Sequence, residues 1–470
     1  MTGARRPTAA LALILAAAFM VVLDFSIVNV ALAAIERELH ARASDVQWVI
    51  TAYAITFGGL LVLGGRLGDL VGRRRLFIGG LVLFSAASLA GGLANDLALL
   101  VVARAVQGIG AAVVAPTAIS LLTTSLPAGP ARTRALGLYG ATASVGFVAG
   151  LVVGGILVQL FDWRAVLFVN VPIGLAVAGL APFLLPDAAP SATGGRLDLG
   201  GAALVTGALA AVVYGVSSGP ANGWASPATL GALGGAAVAL VGFVAVERRH
   251  PSPLVRLGLL RLASLRTANL VTVLLGGWSA AQVLVMPLYL QLVLHQSPLV
   301  TGLALAPQGL AGFAGSARGA GLLRRIGPDR YLALSAAAAA GGLTLLAAGV
   351  AARSYPVLLV GLLLVGYGTG TGAFGTTVAA THSVDHAEQG VASGLVNMSR
   401  QVGAALGVAV AAALVGSGAT AGASPAADRT ALLAAVAPAV VAALLALRGR
   451  TPRAALPERV PVERSCAQAA

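Results

Sequence analysis

Lysine is absent from the 470 residues, so all 30 basic side chains are arginine. A Walker-type nucleotide loop needs a lysine over the phosphates, and a Schiff-base enzyme needs a lysine amine, so neither chemistry is open to this chain. Charge of either sign is scarce. Asp, Glu and Arg together make up 10% of residues, against roughly 25% in an ordinary soluble protein. A soluble chain of this length would have to cover two or three cores with charge, and the charge is not there. Cysteine is nearly missing too. The single Cys466 sits in a polar C-terminal tail, which rules out a disulfide framework and a cysteine zinc cluster. His382 and His386 share a helical i, i+4 spacing with Asp385 between them. That spacing can bind a metal, but nothing else supports such a site, so no metal and no cofactor is expected.

What is present is apolar surface: 58% of residues are hydrophobic, and 61 are glycine. Such a chain needs lipid as its solvent. The formal charge of +14 invites a nucleic-acid partner. The arginines argue against it, because they fall in short connectors between apolar runs and not along one patch. Arg5 and Arg6 followed by an apolar stretch with Ala16–Ala18 could be a cleaved leader. The apolar character runs on to Leu32 and many spans follow, which favours a retained first helix over Thr8–Leu32.

Stretches free of charge and long enough to cross a bilayer, about 20 residues each, recur to the C-terminus. Two of them, Leu199–Val246 and Thr267–Ala317, are long enough for two helices each, turning at Ser217–Gly223 and at His295–Pro298, which gives fourteen spans in all. With the N-terminus in the cytoplasm, 23 arginines fall on the cytoplasmic side and five (Arg37, Arg42, Arg164, Arg353, Arg429) outside, as the positive-inside rule requires. The expectation is a multi-pass protein of the cell membrane with both termini cytoplasmic.

Charges at membrane depth are expensive and mark function or pairing. Of the 16 acidic residues only Asp24 lies well inside a span, and Arg104 is the basic residue clearly within one. Asp24 reads either as a helix-stabilising partner for a polar neighbour or as a protonatable carboxylate, since desolvation disfavours its charged form. Arg104, Gln107 and Gly108 share one face of the fourth helix, and Asp24 is a candidate partner for the guanidinium. Asn29 lies about 140° round the first helix from Asp24 and should face another neighbour. Gly146, Gly150 and Gly154 recur every four residues, as do Gly403 and Gly407. These smooth stripes suit either tight static packing or surfaces that slide.

The run Gly65-Arg66-Leu67-Gly68-Asp69-Leu70-Val71-Gly72-Arg73-Arg74-Arg75 resembles the signature loop of the major facilitator superfamily. Arg104 through Ala112 resembles that family's fourth-helix motif, and Leu23-Asp24 through Asn29–Leu32 resembles the first-helix motif of its fourteen-helix drug:proton antiporter branch. Trp48 and Tyr53, then Trp163-Arg164, Phe168, Asn170, Pro172 and Gly174, then Pro287 through Pro307, and Gln389-Gly390 through Arg400-Gln401 fit further segments, so the likeness spans Leu23 to about Gly407. In one place the chain departs. Leu151 stands where the fifth-helix motif has proline, which keeps the glycine face but removes the source of a kink. The matching loop of the second half, Arg318 to Arg330, is degenerate and keeps mainly Gly327 and basic residues.

The resemblance implies an all-α integral membrane protein with the major facilitator fold, two six-helix bundles plus two extra central helices, fourteen transmembrane helices in all. The expected division is an N-terminal bundle over 8–186, two linker helices with a cytoplasmic connector over 187–266, a C-terminal bundle over 267–447 and a cytoplasmic tail over 448–470. It implies proton-coupled export of amphipathic small molecules, with the small-molecule substrate, protons and the lipid bilayer as partners, no nucleic acid, and a monomer. A permease for one defined metabolite and a non-transporting membrane sensor remain as alternatives. An enzyme is not expected, because no nucleophile–base pair or metal cluster appears near a membrane face. The residues expected to act are Asp24 and Arg104 in proton coupling, Gly65, Asp69, Gly72, Arg73, Gly146, Gly150 and Gly154 in conformational switching, and Gln107, Trp278, Gln282, Tyr289, Gln291 and Phe374 in the cavity wall.

Overall fold

The computed structural model describes residues 5–125, 130–186, 198–251, 253–255, 257–382, 384, 389–416 and 424–448. Cys466, Asp385 and His386 lie outside them, as does most of the 448–470 tail. Asp69 is described as part of a helix but its side chain is not.

Every long element is a helix, because an apolar chain in lipid must satisfy each backbone group internally. They are α1 (Arg5–Glu38), α2 (Ala43–Val71), α3 (Arg73–Gly92), α4 (Leu97–Ser125), α5 (Pro130–Leu160), α6 (Ala165–Phe168) and α7 (Asn170–Leu184), α8 (Leu199–Asn222) and α9 (Pro227–Arg249), then α10 (Ala263–Leu288), α11 (Pro298–Ile326), α12 (Pro328–Ala352), α13 (Tyr355–His382), α14 (Gln389–Gly416) and α15 (Pro425–Arg448). A π-helical turn at Tyr289–Val293 follows Pro287 at the end of α10.

The helix ends have local causes. Gly72, at φ 102°, joins α2 to α3 in a conformation that side-chain-bearing residues rarely adopt, and Gly327, at φ 81°, does the same between α11 and α12. Ser226 and Ser297 cap α9 and α11, accepting from the amides of Thr229 (3.2 Å) and Val300 (3.3 Å), each followed by a proline suited to the first helical turn. The turn after α10 falls where the sequence suggests. The turn after α8 comes later than expected: Ser217–Asn222 stay helical and the chain reverses only at Gly223, at φ 90°.

Among the described residues twelve helices are long and apolar enough to cross a membrane, two fewer than the sequence count. Of α5, Val145–Leu160 is the apolar stretch among the described residues, and α11 falls short because Gly302, Pro307, Gln308, Gly309 and Gly312 dilute its hydropathy before its arginines begin. The exterior is correspondingly greasy, with Phe161, Phe183, Val238 and Val241 each at least 70% exposed.

Helices α1–α7 pack on one another, as do α10–α15, while α8 and α9 pair and α8 touches α2 and α14. The two groups meet along α2–α14 and α5–α11. The glycine stripe of α5 faces α1 and not this seam. A Cβ at Gly150 would lie 2.8 Å from the Leu23 carbonyl oxygen, and one at Gly154 would lie 2.9 Å from that of Ile27, while Gly146 meets Val22 and Phe19. That is packing within one group. The close approaches across the seam use other glycines: Gly155 against Pro298 and Leu299, and Gly302 against the backbone of Leu151. The second stripe, Gly403 and Gly407, is pressed against the α10 backbone at Val273 and Gly277.

Candidate functional site

Five helical segments converge on one buried carboxylate. Asp24, on α1, has no exposed surface. Its Oδ2 accepts from Arg104 Nη1 of α4 at 2.7 Å, and its Oδ1 accepts from Gln107 Nε2 and from Asn170 Nδ2, both at 2.8 Å. The same Arg104 nitrogen donates to Gln107 Oε1 at 2.6 Å, and Arg104 Nε donates to the Val49 carbonyl of α2 at 3.0 Å. Ser88 of α3 completes the ring. Its hydroxyl donates to the Leu167 carbonyl at 2.9 Å and accepts from Gln107 (3.1 Å) and Asn170 (3.2 Å). The Arg104 guanidinium lies over the Tyr53 ring, 4.4 Å from its centroid.

The arrangement has a clear sign. Among the described residues Asp24 accepts from one guanidinium and two amides and donates to none. Asp24 pairs with Arg104, the partner the sequence offered for that guanidinium, and the pair is stitched to three further polar side chains, Gln107, Asn170 and Ser88. Gly108, one helical turn beyond Arg104, lets α4 approach α2, since a Cβ there would lie 2.6 Å from the Tyr53 carbonyl oxygen. Asn29 faces away from Asp24 and donates to the Phe25 carbonyl of its own helix at 2.7 Å.

Beside this network, between the two helix groups, lies a cavity of about 890 Å³. One wall carries Phe25, Tyr53, Phe57, Tyr139 and Phe147, and the other carries Ser279, Gln308, Thr369, Asn397, Arg400 and Gln401. Gly65, Arg66 and Arg73 also line it, so it reaches the end of the molecule where α2 turns into α3. The opposite end is closed between the groups: Arg37 Nη2 of α1 donates to the Gln291 carbonyl at 3.2 Å, and Gln291 Nε2 donates to the Val30 carbonyl at 2.9 Å.

The six residues expected in the cavity wall are elsewhere. Gln107 belongs to the Asp24 network, and Trp278 and Tyr289 are buried within the second group, with the Tyr289 hydroxyl donating to the Val350 carbonyl. Gln282 touches the cavity only through Gln308, whose Nε2 donates to it at 2.7 Å. Gln291 seals the far end, and Phe374 stacks edge-on against Tyr331 at 6.4 Å. For Trp278 and Gln282 the reason is shared. Helix α10 is flanked by α13, α14 and α15, so its polar side chains are used inside that group, and the arc left facing the cavity is Leu275, Gly276, Ser279, Ala280 and Val283. Site selection by polarity passed over Tyr53, Asn170 and Ser88. The first two stood within the matching segments, and Ser88 carries no sequence signal.

A polytopic all-helical membrane protein with a central cavity flanked by a buried ion pair has the architecture of a solute transporter. The chain belongs to the Major Facilitator Superfamily, whose pattern it matches over residues 14–408. It is 40% identical over 410 residues to the cephamycin export protein CmcT of Amycolatopsis lactamdurans, covering 85% of this chain and 83% of that protein. It is also 40% identical to the puromycin resistance protein pur8 of Streptomyces alboniger over 404 residues, covering 84% and 79%. The tetracenomycin C resistance and export protein of Streptomyces glaucescens is 33% identical over 402 residues, covering 85% and 74%. The fold matches that of a crystal structure of the nucleoside transporter NupG with a TM-score of 0.68 at 12% identity, over 94% of this chain and 99% of that one.

Proposed function

We propose that the protein exports amphipathic small molecules across the cytoplasmic membrane by alternating access, in exchange for protons. Relatives covering more than four fifths of this chain are named for antibiotic export or resistance, which supports outward movement of small organic compounds. One observation carries the coupling: Tyr53 lines the cavity and its ring carries the guanidinium that neutralises Asp24. Anything that moves Tyr53, whether a bound compound or the rocking of the bundles, loosens Arg104 and exposes the carboxylate to protonation. The state at hand is then the inward-facing one, with the cavity reaching the cytoplasmic end and the Arg37–Gln291–Val30 contacts closing the outer end.

In this reading α5 and α11, at 31 and 29 residues, are also spans, since about 20 residues suffice to cross the hydrocarbon. That makes fourteen, with α6 and α7 forming one span. The groups correspond to an N-terminal bundle over 8–186 and a C-terminal bundle over 267–447, joined by the α8–α9 linker pair in 187–266. Both termini are cytoplasmic, and the unit is a monomer. The test is reconstituted transport under an imposed pH gradient. Wild type should concentrate substrate and Asp24→Asn should not. A mutant that still does so makes Asp24 structural and removes this route of coupling.

A further inference from the structure

The cavity wall carries a cation that no described residue answers. Arg400 of α14 is partly buried, lines the cavity, and has no hydrogen bond or ion pair among the described residues; its Nε is fully shielded from solvent and without a partner. No Asp or Glu is among the described residues that line the cavity. A charge partly withdrawn from water without a protein partner loses hydration that nothing in the protein restores. Arg104 shows the contrast, since it is buried and ion-paired, with both Nε and Nη1 hydrogen-bonded.

The backbone holds Arg400 in place. Ser399 donates to Asn269 of α10 at 2.8 Å, and Gly276 of α10 is pressed against the Arg400 carbonyl, leaving no room for a Cβ there. Ser393, Asn397 and Arg400 recur at i, i+4 and i+7 and all line the cavity, so they form one polar stripe along α14. Across from it stand the aromatic side chains of Phe25, Tyr53, Phe57, Tyr139 and Phe147. Arg66 and Arg73, although each has other interactions, add positive charge nearer the cavity mouth, where low-dielectric walls concentrate the field.

We propose that Arg400 is the receptor for an anionic group on the exported compound, so that the cavity takes amphiphiles combining an aromatic body with a carboxylate, phenolate or sulfonate and disfavours lipophilic cations. This rests on the reading of the cavity as the path of an exported small molecule. The guanidinium fork offers paired donors that match a carboxylate, and the aromatic wall takes the apolar body. Paired in this way, the acid supplies the counter-charge that the protein withholds.

The test uses three probes with one scaffold, 1-pyrenebutyrate, its amide and 1-pyrenebutylamine, titrated against the purified full chain in lipid nanodiscs. Wild type should bind the carboxylate roughly tenfold or more tighter than the other two, the size expected for a charge-assisted hydrogen bond. Arg400→Gln should erase that preference while still binding the scaffold weakly, and Arg400→Lys should keep part of it. Because the mutation removes an unanswered charge, Arg400→Gln should melt at or above the wild-type temperature. Equal binding of the three probes, a preference that survives in Arg400→Gln, or a lower melting temperature with loss of all three would each overturn the proposal. Ethidium export from proteoliposomes holding the same purified chain separates the two levels. A protein that exports ethidium and ignores the pyrenes keeps the export reading and loses the anion site. A protein that moves and binds neither loses both.

Discussion

Gln291, in the π-helical turn after α10, donates from its side chain to the backbone oxygen of Val30 on α1 at 2.9 Å, a hydrogen bond between residues 261 positions apart that ties the two bundles together. Its own carbonyl accepts from Arg37 at 3.2 Å. A polar residue that reads as cavity lining is therefore a latch at the end of the molecule away from the α2–α3 turn.

The latch makes the first prediction. A net hydrogen bond contributes about 1 kcal/mol, somewhat more where a charged group is involved, so Gln291→Ala and Arg37→Ala should each shift the conformational equilibrium several-fold away from the closed outer end. Double electron–electron resonance between spin labels placed on α1 and α11, in a Cys466→Ala background, measures the shift. Distance distributions identical to wild type in both variants would remove the latch role.

The buried pair makes the second. Asp24→Asn leaves Arg104 charged and poorly answered, which typically costs about 3–5 kcal/mol. The single mutant should melt well below wild type. The double mutant Asp24→Asn/Arg104→Gln should recover much of that loss but still fail to drive transport from a pH gradient, which separates the structural contribution of the pair from its coupling role. Asp24→Glu keeps the acid at a changed reach and should retain some activity with a displaced pH optimum. Recovery of gradient-driven transport in the double mutant would show that coupling resides elsewhere.

Tyr53 gives the third. Its hydroxyl is buried without a hydrogen-bond partner, whereas its ring carries Arg104. Tyr53→Phe should therefore transport almost normally. Tyr53→Ala loses a desolvated cation–π contact of about 2 kcal/mol and opens a path between the cavity and Asp24. Proteoliposomes containing it should dissipate a pH gradient without substrate, as read by an entrapped pH dye. Tight, substrate-dependent proton flux in Tyr53→Ala would disconnect the ring from coupling.

Topology gives the fourth. On the proposed fourteen spans and cytoplasmic N-terminus, Cys466 should lie inside the cell. In intact cells a membrane-permeant maleimide should label it and an impermeant one should not. Labelling by the impermeant reagent would overturn the even number of spans.

Much of this protein could be read from the chain. A helical membrane protein with a conspicuous acid on the first span and a conspicuous base on the fourth follows from hydropathy and charge, which are local properties that each segment carries wherever it is placed. The sequence also marked Arg104, Gln107 and Asp24 as possible neighbours, because the helical repeat alone puts the first two on one face. What only the tertiary structure decided is which arc of each helix meets protein, cavity or lipid. A helix presents polar groups around its whole circumference, and the neighbours set their role. Asn170 joins Asp24 from 146 positions away. Gln282 and Tyr289 are taken up inside their own bundle, and the α5 glycines press on α1 in place of the seam. Arg400 resembles any arginine at the edge of a span until the packing of α10 against α14 turns it to the cavity, where no described residue offers it an acid. Charge alone is written in the sequence; whether a charge is answered depends on what the fold brings within about 4 Å of it.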